Sequence, residues 1–157
     1  MSTAGTQPLI PLVVFVVEGA RYGVPLSSAE RAFRMVALSP LPGSPRVVLG
    51  GINLQGQAVA VVDLRRRFGL PARDYGVAAR LLVVRTRRRR LAIAADDVLG
   101  LLEVEADAVT PQTLLPGAGP VAGVAALPDG LLIIQDLDAF LTLDEERQLD
   151  RALETQA

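Results

Sequence analysis

Four consecutive arginines, Arg87-Arg88-Arg89-Arg90, form the densest charge in this 157-residue sequence. Clustered guanidinium groups neutralise phosphates, so nucleic-acid binding is the first chemistry they suggest. Against it stand only two Tyr and four Phe available for base stacking, and no second basic stripe. The same run suits a solvated hairpin turn whose long charged side chains discourage edge-to-edge pairing. Asp96-Asp97 with Glu103, Glu105 and Asp107 offers carboxylates to a divalent cation, but without EF-hand spacing; acids scattered along a strand ordinarily face water. Arg65-Arg66-Arg67 reads likewise as a solvated turn. Asp63 and Asp136 each close an apolar run, and each reads as a cap rather than half of an acid/base pair. Gly51, Gly56, Gly123 and Gly130 have no phosphate-loop arrangement and read as turn glycines.

Composition narrows the chemistry further. The chain has no His and no Cys, which removes the commonest general base, the commonest metal ligand, disulfides and thiolate chemistry together. The expectation is therefore no catalytic residues, no metal and no cofactor. All 16 basic residues are Arg, and they nearly balance 17 acids to a net charge of −1. A field that small steers toward neither nucleic acid nor an acidic membrane. No segment reaches the roughly 20 apolar residues of a membrane span. The start lacks a basic n-region, so a disordered tail over 1–8 and a cytoplasmic protein are expected.

The elements that must hold these residues come in two rounds. Leu12 to Val17 is a continuous β-branched run, the pattern of a strand covered on both faces. Tyr22 to Leu26 returns, with Pro25 assigning that strand to an edge. Ser27 and Glu30 suggest a capping box for a helical turn over 28–33, and Met35 to Leu38 a short strand. Three prolines between Ser39 and Pro45 make an extended loop. Gly50-Gly51-Ile52-Asn53-Leu54-Gln55-Gly56 then turns into an apolar run ending on Asp63, a tight hairpin because Gly accepts φ > 0. One helical turn follows over 64–68, closed by Gly69. After a Pro/Gly connector at 71–76 the order restarts: Leu81 to Val84, an Arg turn, Leu91 to Ala94, a strand over 101–106, a loop over 110–118, and a second hairpin from Gly123 through Gly130 to Asp136. Thr142 and Glu145 form a capping box for a helix over 143–154, docked by Leu149 and Leu153. Two copies of one unit imply a doubled architecture of small β-barrels.

The signature hairpin resembles that of the CheW family, the coupling proteins of bacterial chemosensory arrays. The resemblance runs from Leu12 to Leu141 and rests on an ordered series. Its members are the Val-Phe strand, the Tyr-Gly return, Leu-Pro-Gly-Ser-Pro, Gly-Gly-Ile-Asn-Leu-x-Gly with Val-Val-Asp-Leu-Arg, and the later Gly-Val-Ala-x-Leu, Asp-Gly and Asp-Leu. It implies an all-β fold of two five-stranded SH3-like barrels with a short C-terminal helix. The expected organisation is one CheW-like domain over 9–141 (subdomains at about 12–70 and 78–140, strands free to exchange), followed by helix and tail over 142–157. It also implies a non-catalytic adaptor joining a methyl-accepting chemoreceptor's cytoplasmic tip to the regulatory domain of a CheA-type histidine kinase. Such an adaptor sits in receptor arrays at the inner membrane face, without membrane insertion or nucleic acid. The different-class alternative is a β-barrel nucleic-acid-binding module using Arg87 to Arg90. By the resemblance, partner contacts fall to Asn53, Gln55, Gly56 and Arg65, with an apolar receptor groove between the barrels. The family carries Arg where this chain has Gln55, which keeps hydrogen bonding but loses charge and the planar fork.

Overall fold

Apolar residues in unbroken runs need cover on both faces, and the fold supplies it. The computed structural model describes residues 8–111 and 121–155. Eleven strands are formed among them: β1 Leu9–Val17, β2 Ala20–Pro25, β3 Ala29–Arg34, β4 Val48–Leu54, β5 Gln57–Asp63, β6 Arg80–Arg85, β7 Arg90–Ala95, β8 Asp97–Glu105, β9 Val109–Pro111, β10 Val121–Leu127 and β11 Gly130–Gln135. Two helices accompany them, α1 Leu64–Arg67 and α2 Leu143–Thr155. The strands make a six-stranded sheet, β8-β1-β2-β11-β10-β9, and a five-stranded sheet, β3-β6-β7-β5-β4. The all-β fold with a C-terminal helix is the expected one, with six and five strands in the two sheets.

Alternation along the strands sorts side chains into three cores. In β5, β6 and β7, Val59, Val61, Leu81, Val83, Ala92 and Ala94 fill the outer core of the five-stranded sheet. Their neighbours Val62, Leu82, Val84, Leu91 and Ile93 turn the other way, into a central core. In β1, Leu12 and Val14 line the outer core of the six-stranded sheet. Phe15 and Val17 enter the central one, where Phe15, Tyr22 and Phe68 stack at 5.8 and 6.1 Å. A strand with period two and apolar residues in every register is what such sharing requires.

Each sheet draws strands from both halves of the chain. Hairpin β1–β2 pairs in parallel, through β2, with β11 of the second hairpin copy. Hairpin β6–β7 pairs in parallel, through β7, with β5 of the first. Each first-half unit is thus completed by a second-half one.

Four local expectations give way. Leu26–Ser28 is a 3-10 turn without a side-chain cap, and Glu30 lies in β3, its carboxylate 2.8 Å from Arg90 Nε. The strand expected at 35–38 forms instead at Ala29–Arg34, where the β6 edge is available to pair with it. Pairing with a neighbour outweighs local propensity. β2 lies inside its sheet, and Pro25 is tolerated because the β11 pairing stops at Gly23. Thr110 and Pro111 belong to β9, and the rest of the loop expected there lies outside the described residues.

Candidate partner-binding surface

The tip of the signature hairpin is built by backbone geometry. Gln55 (φ 54°) and Gly56 (φ 86°) are both left-handed, the pair of conformations that a two-residue turn needs to match strand twist. Asn53 Oδ1 accepts from the Gly56 amide at 2.8 Å and holds that turn. Asn53, Gln55 and Gly56 are all exposed. Asn53 and Gly56 also edge a shallow hollow of about 250 Å³ walled by Pro40, Leu41 and Ile52.

Gly51 is not a turn residue. It sits inside β4 opposite Ala60, and its amide donates to Ser39 O at 2.7 Å while its carbonyl accepts from Ser39 N at 2.8 Å. The Pro-rich loop therefore pairs with β4 through an antiparallel bridge at close range. A Cβ on Gly50 would lie 2.7 Å from Ser39 O, and one on Gly51 3.0 Å from Leu41 Cδ1. Gly123 is likewise mid-strand, where a Cβ would meet Val109 Cγ1 at 2.8 Å and Thr110 O at 2.9 Å. Gly130 (φ 138°) and Gly56 do close turns as expected.

The far end of β5, roughly 20 Å away along seven residues, ends on the expected cap. Asp63 Oδ1 accepts from Arg65 N at 2.9 Å and from Tyr75 Oη at 2.7 Å. Asp136 precedes a 3-10 turn but makes no side-chain cap; only its carbonyl accepts, from Ala139 N at 3.1 Å.

Arg65 departs furthest from its expected place. Its side chain is fully buried, and its donors are spent inside the protein. Nε meets Glu18 Oε1 at 2.5 Å, Nη2 meets Asp96 Oδ1 at 2.8 Å and Oδ2 at 3.0 Å, and Nη1 reaches Arg73 O at 3.4 Å. The guanidinium carbon stands 4.2 Å over the Tyr75 ring. Glu18 belongs to the β1–β2 turn, Asp96 to the β7–β8 corner, and Arg73 and Tyr75 to the connector. One side chain thus ties together both sheets and the segment between the halves. Burial by itself would lower the Arg65 pKa, but Tyr75 and the two carboxylates more than offset this and hold it above its ordinary value. Desolvation, then the bond to Asp63, keeps the Tyr75 phenol protonated far above its usual range. Asp96, expected to face water, is a structural acid. Arg65 cannot touch a partner directly; the sequence signal that would have found its role is Glu18 and Asp96 at the ends of returning strands.

The Arg run is also not simply solvated. Arg89 Nε donates to Glu146 Oε1 at 2.9 Å and Nη2 donates to Asp150, both on α2. Arg87 stands 3.3 Å from Asp138, and Arg90 pairs with Glu30. Carboxylates already occupy three of the four charges a nucleic acid would need. Arg67 similarly grips Glu145 on α2, at 2.6 and 2.9 Å. Among the described residues no three carboxylates converge as a metal site would require.

One apolar surface was missed. β8 is an edge strand whose register shifts at Leu99; Leu99 and Leu101 are 57% and 61% exposed, and Glu103 and Glu105 share the face of Leu101. Two large exposed leucines framed by acids on an open edge suit a partner of mixed apolar and basic character.

Comparison with known proteins bears on this arrangement. Residues 11–145 match the family model described as the CheW-like domain. The chain is 24% identical over 141 residues to the chemotaxis protein CheW of Helicobacter pylori, covering 88% of this chain and 85% of that one. It is 29% identical over 132 residues to Protein FrzA of Myxococcus xanthus, covering 84% and 78%. In fold it is similar to the scaffolding protein TtCheW of Thermoanaerobacter tengcongensis, with a TM-score of 0.79 at 23% identity over 88% of this chain and 96% of that one.

Proposed function

Because this chain belongs to the CheW-like domain family, we propose that it is a chemotaxis scaffold, a non-catalytic adaptor that couples chemoreceptors to a CheA-type histidine kinase. The observation that carries this reading is the extent of the match, which takes in both sheets and both hairpin copies from residue 11 to 145. An adaptor needs separate surfaces on a rigid body, and this protein has them. The tip of the β4–β5 hairpin, with Asn53, Gln55 and Gly56, serves one partner. The exposed leucines of β8 offer an apolar seat for the other, the receptor's cytoplasmic helical hairpin. Arg65 acts behind these surfaces as a positioning residue, holding the two sheets in one relative orientation.

The chemistry of the described residues supports a role without catalysis. Titratable side chains at the centre are engaged in ion pairs and capping bonds, Arg65 with Glu18 and Asp96, and Asp63 with Arg65 N and Tyr75 Oη. No described helix is long and apolar enough to cross a membrane. Co-sedimentation tests the reading. The chain, a receptor cytoplasmic fragment and a CheA-type kinase from the same source are mixed, pelleted and assayed for kinase autophosphorylation. The expected result is a ternary pellet whose kinase activity depends on this chain; a pellet that forms equally well without it overturns the reading.

A further inference from the structure

Gln57, Ala58 and Val59 at the start of β5, the β6–β7 turn and Leu153 of α2 enclose a pocket of about 220 Å³. Arg85, Arg88, Arg89 and Arg90 line it. Two of these guanidiniums are already matched, Arg89 by Glu146 and Asp150, Arg90 by Glu30 at 2.8 Å and by Gln57 Oε1 at 3.1 Å. Among the described residues, Arg85 and Arg88 have no acidic partner, although Arg88 is held in place through its amide, which donates to Thr86 Oγ1 at 3.2 Å. The pocket therefore carries uncompensated positive charge, and its fixed walls are an aliphatic floor, Val59 and Leu153, and an amide, Gln57.

We propose that this pocket binds a carboxylate side chain from an acidic segment of a protein partner, with Arg85 and Arg88 pairing the carboxylate and Leu153 covering its methylene stem. Guanidinium forks match carboxylates bidentately, and the volume fits one glutamate side chain rather than a nucleotide. No aromatic side chain lines the pocket, so a base would find no ring to stack on, as single-stranded nucleic acid requires. The pocket opens beside the signature hairpin, since Gln57 is the first residue after the Gln55-Gly56 turn.

Fluorescence anisotropy with a labelled hexaglutamate peptide tests this, using the full chain at about 50 and 200 mM salt. The expected result is binding that weakens with salt and falls about tenfold in the R85Q/R88Q double variant. These two arginines have no internal acid partner, so the variant should melt with the wild type. Absence of peptide binding, binding unchanged in the double variant, or tighter binding of an oligothymidylate of equal charge would each overturn the inference. The assay needs neither receptor nor kinase, so its failure leaves the adaptor reading to the co-sedimentation experiment.

Discussion

A buried guanidinium between two half-exposed carboxylates is a different object from an exposed arginine, and Arg65 behaves as the former. Replacing it with Gln would leave Glu18 and Asp96 only the more exposed Arg73 guanidinium, at 3.3 and 3.4 Å, and empty the site over Tyr75. Breaking a buried pair costs roughly 3–5 kcal/mol, and the lower end applies because both carboxylates keep about a third of their surface in water, 30% each. Urea unfolding of R65Q should register that loss, while R65K should fall between, keeping the charge without the planar fork. Gln55 makes the opposite case. At an exposed turn, an added charge gains less than about 1 kcal/mol, so Q55R should tighten kinase or receptor binding up to about fivefold at low salt. The gain should shrink as salt rises, read by titration calorimetry. Partners adapted to Gln should instead bind Q55R more weakly. No change in either direction would remove residue 55 from the interface.

At the scale of elements, α2 is held by ion pairs as much as by apolar contact. Leu149 enters the central core, Thr142 and Glu145 exchange the two bonds of a capping box at 2.8 and 3.1 Å, and Arg67 and Arg89 clamp the helix from opposite elements. Glu146 is buried, so R89Q should cost about 2–3 kcal/mol by leaving that carboxylate underpaired, measured as a lowered urea midpoint. The hydrogen bond from Arg67 holds the Glu145 carboxyl below its ordinary pKa. The folded state therefore binds the proton less readily than the unfolded one. This contribution is fully present above about pH 4.3 and fades as pH falls through the depressed folded value. In R67Q, acid unfolding followed by circular dichroism should lose that part of its pH dependence. Strand contacts are equally exacting: G123A places a methyl against Val109 and the Thr110 carbonyl and should destabilise by about 1–3 kcal/mol, again read by urea unfolding.

For the whole molecule, the crossed pairing makes the two halves interdependent. β1 and β2 find their partners in β8 and β11, and β6 and β7 find theirs in β3 and β5. A fragment of residues 8–70 would expose the β2 edge that β11 covers and half of the central core. It should show the circular dichroism of an unfolded chain, whereas co-expression with 71–155 should restore the sheet signal. A cooperative, strand-rich spectrum from 8–70 alone would refute this interdependence. The sequence by itself determined the hairpins, because turn glycines and period-two apolar runs act over a few residues. It likewise determined the Asp63 cap and the Thr142–Glu145 box, whose partners lie two or three residues apart. The lack of His and Cys set the expectation of a binding role, and the ordered motifs identified the family. Tertiary structure alone decided that Gly51 and Gly123 sit where a neighbouring backbone pairs closely, that Ala29–Arg34 is a strand, and that Arg65 and Arg89 are internal ties. Each depends on a group about 10 to 60 positions distant, such as Ser39 for Gly51, Asp96 for Arg65 or Glu146 for Arg89. Local propensity carries no information about a charge that only folding brings within reach.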